Sequence, residues 1–161
     1  MSEERLRAAM VRDRVRALEK LPFTIVRKDG MVHVDAKVDA AFRKALMAGV
    51  PPQIRSKMRE ALTATPGANA MKHSVKYFGG PQRIAEVKNR IAPLLVQFNE
   101  MLTESFALPG IFDWLEVTGF GNDYRMIKAF LAWAEMANLP SLSQVSPPPR
   151  SNTYGLSLIH I

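Results

Sequence analysis

Apolar residues recur every three or four positions along most of the chain up to residue 138, which is the periodicity of one face of an α-helix. Glycine, proline, asparagine and aspartate separate the apolar stretches and mark where helices begin and end. The pattern predicts helices over about residues 3–21, 36–48, 51–62, 71–78, 84–101, 112–117 and 123–137. We therefore expect a mainly α fold, with several helices, αα-hairpins and one long heptad-patterned helix.

One short stretch near the N-terminus departs from the helical pattern. Two runs rich in β-branched residues flank Asp29-Gly30, a dipeptide that tolerates positive φ at both turn positions. The sequence therefore predicts a small β-hairpin over residues 23–35, which must pack against helices because two strands are rarely stable alone. His33 lies inside it without a second ligand at metal spacing, so a structural or exposed role is favoured.

The segment around Gly49 predicts two helices joined by a short turn. Gly49 is placed as a C-terminal cap, and prolines follow in the first turn of the next helix. A DNA-reading helix-turn-helix would place a small residue at Ala45, as here, but an aliphatic residue where Arg55 stands. The mismatch favours an αα-hairpin that builds the core and leaves Arg55, Lys57 and Arg59 exposed.

The helix after Gly80-Pro81 carries a heptad-like stripe that could serve self-association. Its positions alternate spacings of three and four: Ile84, Val87, Ile91, Leu94, Phe98 and Met101. Leu95 and Leu102 widen the stripe toward an ordinary core-facing surface, and Pro93 should kink the helix. Both a contact between copies of the chain and packing within one chain remain open at this point.

The chain after residue 138 has a different composition. It is rich in Ser and Pro, contains Pro147-Pro148-Pro149, and is expected to be disordered or extended. Residues 1–138 then form a single helical domain and residues 139–161 a tail. The last six residues form an abrupt apolar run that resembles a translated sequencing adaptor, so we expect the natural C-terminus to be missing. A short terminal strand or docking peptide is the alternative.

Charge is unevenly distributed along the chain. The net charge is +7, and residues 21–90 carry thirteen basic against five acidic side chains, whereas residues 91–161 carry three against six. A basic middle suits contact with a polyanion or an acidic protein surface, although it also fits a solvated surface. The candidates for such contacts are Arg55, Lys57, Arg59, Lys72 and Lys76.

Candidate chemistry is sparse. The chain has no cysteine, and its three histidines lie far apart in sequence. Gly119-Phe120-Gly121 is a fragment of a phosphate-binding pattern without the third glycine or a preceding strand. We therefore expect no catalytic, metal or cofactor site. We expect a binding or assembly protein and not an enzyme. The N-terminal residues mix both charge signs without an apolar stretch, which favours a cytoplasmic protein with no membrane contact.

The segment from Phe112 to Trp133, FDWLEVTGFGNDYRMIKAFLAW, resembles part of the capsid assembly scaffolding proteins of tailed bacteriophages. Those proteins tend to carry a short helix, a Thr-Gly-x-Gly-Asn-Asp-like turn and a helix with basic and aromatic residues. The turn residues here are Thr118, Gly119, Gly121, Asn122 and Asp123. Tyr77-Phe78-Gly79-Gly80 with the long helix after it is also similar, so that the resemblance covers about residues 40–138.

The resemblance implies a non-enzymatic protein without cofactors. Such a protein associates with itself through helices, binds the major coat protein inside an immature capsid in the host cytoplasm, and leaves before or during DNA packaging. A basic helical region would suit an acidic coat surface through modest, reversible contacts. The alternative function is a basic helical nucleic-acid-binding protein that makes mainly phosphate contacts.

Overall fold

The computed structural model describes residues 2–10 and 20–137, and its architecture is the expected mainly α fold with one β-hairpin. Residues 3–10 form helix α1. The other elements are β1 (Ile25–Lys28), β2 (Met31–Val34), α2 (Ala36–Gly49), α3 (Arg55–Leu62), α4 (Ala70–Phe78), α5 (Pro81–Phe106), α6 (Ile111–Thr118), a turn of 3-10 helix (Phe120–Asn122) and α7 (Tyr124–Met136). The predicted C-terminal tail lies outside the described residues, as does the second half of the first predicted helix.

The hairpin forms around the predicted dipeptide. Asp29 and Gly30 both have positive φ, 54° and 72°, so the turn needs residues that tolerate the left-handed region. The strands are antiparallel, with Ile25 opposite Val34. Strand β2 packs against α6, which supplies the neighbour that two isolated strands lack. Asp35 then begins α2 by accepting hydrogen bonds from the backbone N–H groups of residues 37 and 38.

The junction between α2 and α3 corrects two details of the sequence prediction. Gly49 is the last residue of α2 and does not adopt positive φ, so it is not a left-handed cap. Its lack of a side chain serves packing, because a Cβ there would lie 2.7 Å from Cε2 of Phe98. Pro51 and Pro52 precede α3 in a separate turn, and α3 begins only at Arg55.

Helix α5 runs unbroken through Pro93 and supplies the centre of the core. Of the six heptad positions, the first five have at most 5% of their surface exposed, and Met101 is half-buried against the same core. Neighbouring Leu95 and Leu102 are also buried. The stripe therefore packs within the chain, mainly against α4, α6 and α7, and these residues are not available to a second copy of the folded domain.

Aromatic rings connect the hairpin to the helices. Phe23 meets Phe42 edge-on at 5.8 Å between ring centroids, and Phe42 stacks on Trp114 at 5.4 Å. Trp114 in turn packs on Phe120 at 5.3 Å. Such contacts add to the burial of large apolar surfaces, and they tie the segment before α2 to the turn before α7.

Candidate binding surface on helices α3, α4 and α7

Helix α7 has one buried side and one partly exposed side. Its buried residues are Met126, Ile127, Ala129, Phe130, Trp133 and Ala134. Tyr124, Arg125 and Lys128 are half-exposed on the other side. Because residues one turn apart share a face, the aromatic ring of Tyr124 and the ammonium group of Lys128 lie together along the helix.

Helices α3 and α4 both pack against α7. All five residues predicted for polyanion contacts are exposed: Arg55, Lys57 and Arg59 on α3, and Lys72 and Lys76 on α4. Helix α4 contains no acidic residue, and α3 contains only Glu60. The structure thus places the five residues on two helices that share α7 as a neighbour.

Tyr77 joins α4 to α7 through its ring. The ring stacks on that of Tyr124, with centroids 4.8 Å apart and planes 27° from parallel. Nζ of Lys128 lies 5.9 Å from the Tyr77 centroid, at cation–π distance. After these contacts 51% of the Tyr77 surface is still exposed. The ring is therefore held in place yet open to a ligand on its remaining surface.

Arg125 is partly neutralised by a buried neighbour. Asp123 is 4% exposed, caps α7 by accepting a hydrogen bond from the Arg125 backbone N–H at 2.9 Å, and pairs with the Arg125 guanidinium at 3.2 Å. The side-chain hydrogen bond to Asp123 raises the pKa of Arg125, while desolvation acts in the opposite direction. Lys128 is the lysine at cation–π distance from Tyr77, and Lys72 and Lys76 are exposed on the helix that carries Tyr77.

The turn that carries the family resemblance has definite structural roles. Thr118 donates its hydroxyl to the backbone carbonyl of Trp114, and Gly119 adopts a φ of +82°. The backbone carbonyl of Asn122 accepts a hydrogen bond from Oγ of the buried Ser74, 2.5 Å away. Gly121 is buried beside Phe120. The five turn residues therefore form the connection between α6 and α7 and fasten it to α4.

Lys88 is a buried cation that the sequence pattern did not identify. Only 1% of its surface is exposed, and its Nζ donates a hydrogen bond to Oδ1 of Asn122 at 3.0 Å. Desolvation by burial lowers its pKa to about 8. A small cavity of about 10 Å³ lies beside it, lined otherwise by apolar side chains and Gly121. That volume holds at most one water molecule, so this is no pocket for an organic ligand.

The remaining candidates for chemistry do not converge. Within residues 2–10 and 20–137, no group of three His, Cys, Asp or Glu residues is close enough to hold a metal ion. His33 and His73 are exposed on separate elements, and His160 lies outside the described residues. In the same part of the chain, no helix has both the length and the apolar character needed to cross a bilayer.

Two features of this part of the structure could not be recognised from the sequence. The contact between Tyr77 and Tyr124 depends on how α4 packs against α7, and nothing in either helix alone indicates it. Lys88 follows Val87 on the apolar stripe, where a lysine would normally extend to solvent.

Comparisons with protein-family models, with curated proteins and with solved structures find no match to this chain.

Proposed function

We propose that this protein is a capsid assembly scaffolding protein of a tailed bacteriophage, which binds the major coat protein through transient contacts. The observation that carries the proposal is the folded unit formed by α6, the turn and α7. This is the segment that resembles those proteins, and each of its five turn residues takes part in the connection that Asp123 ends by capping α7.

The exposed basic side chains of α3 give the proposal its contact surface. Arg55, Lys57 and Arg59 are all exposed on this one short helix. Exposed charges gain little from each ion pair because water and salt screen them, but they steer association with an acidic surface. Contacts of this kind release readily, as a protein that must leave the capsid requires.

Self-association, which the resemblance implies, needs side chains other than the heptad stripe, since that stripe is buried in the core. Several large apolar side chains remain exposed outside the basic surface: Leu6, Met10, Val26, Met31, Phe106 and Met136. Within the described residues, these are the apolar side chains on which a contact between copies of the folded chain would draw.

The test is co-expression with the major coat protein of the same phage. We expect closed shells of uniform size when both proteins are present and irregular products from coat protein alone. The triple substitution Arg55→Glu, Lys57→Glu, Arg59→Glu should abolish co-sedimentation with coat protein, whereas Lys44→Glu, at an exposed lysine of α2, should not. Uniform shells without this protein, or equal co-sedimentation of the triple variant, would reject the proposal.

A further inference from the structure

The face formed by α4 and α7 combines an exposed aromatic ring with positive charge. We define the α4–α7 face by Lys72, Lys76 and Tyr77 on α4 and by Tyr124 and Lys128 on α7. Its residues on α4 are all exposed; Lys72 and Lys76 lie one turn apart, and Lys76 directly precedes Tyr77 in the sequence. The proposed coat contact uses α3 and makes no use of this face.

We infer that the α4–α7 face binds single-stranded nucleic acid, with Tyr77 stacking on a base and the lysines contacting the adjacent phosphates. Proteins that bind single strands combine a basic surface with aromatic side chains on which bases stack. Tyr77 offers such a ring, since 51% of its surface is exposed. Lys128 of α7 supplies positive charge at the ring itself, and the two exposed lysines of α4 add positive charge on the helix that carries Tyr77.

The stack between Tyr77 and Tyr124 holds the Tyr77 ring in one orientation before a ligand binds. Because Tyr124 and Lys128 already hold the Tyr77 ring, little side-chain freedom is lost when a base stacks on it. An acidic protein surface would use the lysines but would gain nothing specific from the ring. A duplex keeps its bases stacked inside, so Tyr77 would have no base to contact. The geometry therefore favours a single strand over both.

The experiment measures binding of a fluorescently labelled oligothymidylate to the full chain by anisotropy, at low and moderate salt. Tyr77→Ala should weaken binding by about tenfold or more, which corresponds to the loss of one stacked base. Tyr77→Phe keeps the ring and should bind like the original protein. Phe106→Ala removes another half-exposed aromatic side chain at the far end of α5, and it should also leave binding unchanged.

Further measurements distinguish a loss of oligonucleotide binding from a loss of folding and from a loss of the coat contact. Lys76→Gln, at an exposed residue of the same face, should weaken binding and reduce its dependence on salt. Duplex of the same length should compete poorly. No binding at low salt, equal binding by Tyr77→Ala, or binding of coat protein in place of the oligonucleotide at this face would overturn the inference. Retained shell assembly by Tyr77→Ala would show that the two functions are separate.

Discussion

The indole Nε1 of Trp114 donates a hydrogen bond to Oδ1 of Asp39, 2.9 Å away, and so joins α6 to α2. Trp114 is completely buried, and its ring lies between those of Phe42 and Phe120. The second carboxylate oxygen of Asp39 accepts from Nε of Arg43 at 2.8 Å. One partly exposed carboxylate thus satisfies a buried indole and orients the guanidinium of Arg43.

Asp39→Ala should destabilise the fold by about 2 kcal/mol, because it leaves the buried indole N–H of Trp114 without this acceptor. The ion pair with Arg43 contributes less, since both side chains are partly exposed. Urea denaturation measures the free energy of unfolding, and Glu104→Ala, at an exposed acidic residue of α5, is the control. Equal stability of the two variants would contradict this role for Asp39.

Gly49→Ala should also destabilise the protein, although alanine is ordinarily the better helix former. The added Cβ would lie 2.7 Å from the buried ring of Phe98, and relieving that overlap costs about 1–3 kcal/mol. The additional substitution Phe98→Leu should make the change at residue 49 less costly. Gly67→Ala serves as control, because a Cβ at residue 67 would meet no atom within 4 Å. A stabilised Gly49→Ala variant would show that the ring is not packed there.

Lys88 should make stability depend on pH in the alkaline range. In the unfolded chain its pKa is near the ordinary 10.5, whereas burial lowers it to about 8 in the folded protein. Between these values the unfolded chain holds more protons, so the free energy of unfolding rises with pH, by a total of about 3 kcal/mol. Below pH about 8 the full cost of burying the charge is present.

Lys88→Met should remove most of that rise, since methionine fills a similar space without a charge. The measurement is urea denaturation at several pH values through this window, with Lys57→Met as the control at an exposed lysine. The difference between the two variants is the informative quantity. Identical pH profiles for Lys88→Met and the control would refute the assignment.

Local features were the most predictable from sequence. The Asp29-Gly30 turn and the helical segments depend on residues close together in the chain. The structure confirms the turn and, within the described residues, the helices, except that α3 begins at Arg55 and not at Pro51. The prediction that a helix ends at Gly49 is correct. Glycine is needed there because the ring of Phe98, on another helix, leaves no room for a side chain. This packing contact joins residues far apart in the chain, so the sequence around Gly49 does not predict it.

The candidate binding surface likewise has features that the local sequence predicts and features that depend on packing between helices. The exposure of Arg55, Lys57 and Arg59 was predicted from the sequence, because these charged residues lie between the apolar positions of α3. The contact between Tyr77 and Tyr124 and the burial of Lys88 depend on how separate helices meet. The heptad spacing on α5 did not decide between self-association and packing within the chain, because a stripe of this kind can face a second chain or the chain's own core.

The apolar stripe of α5 packs inside a single folded chain and leaves the basic side chains of α3 and α4 exposed. The most direct measurement is thermal unfolding over a wide range of protein concentration, for the original protein and for Leu94→Ala. We expect Leu94→Ala to lower the midpoint by the same amount at every concentration, because Leu94 is buried within the chain. A midpoint that rises with concentration in the original protein, and loses that rise in Leu94→Ala, would place the stripe between chains.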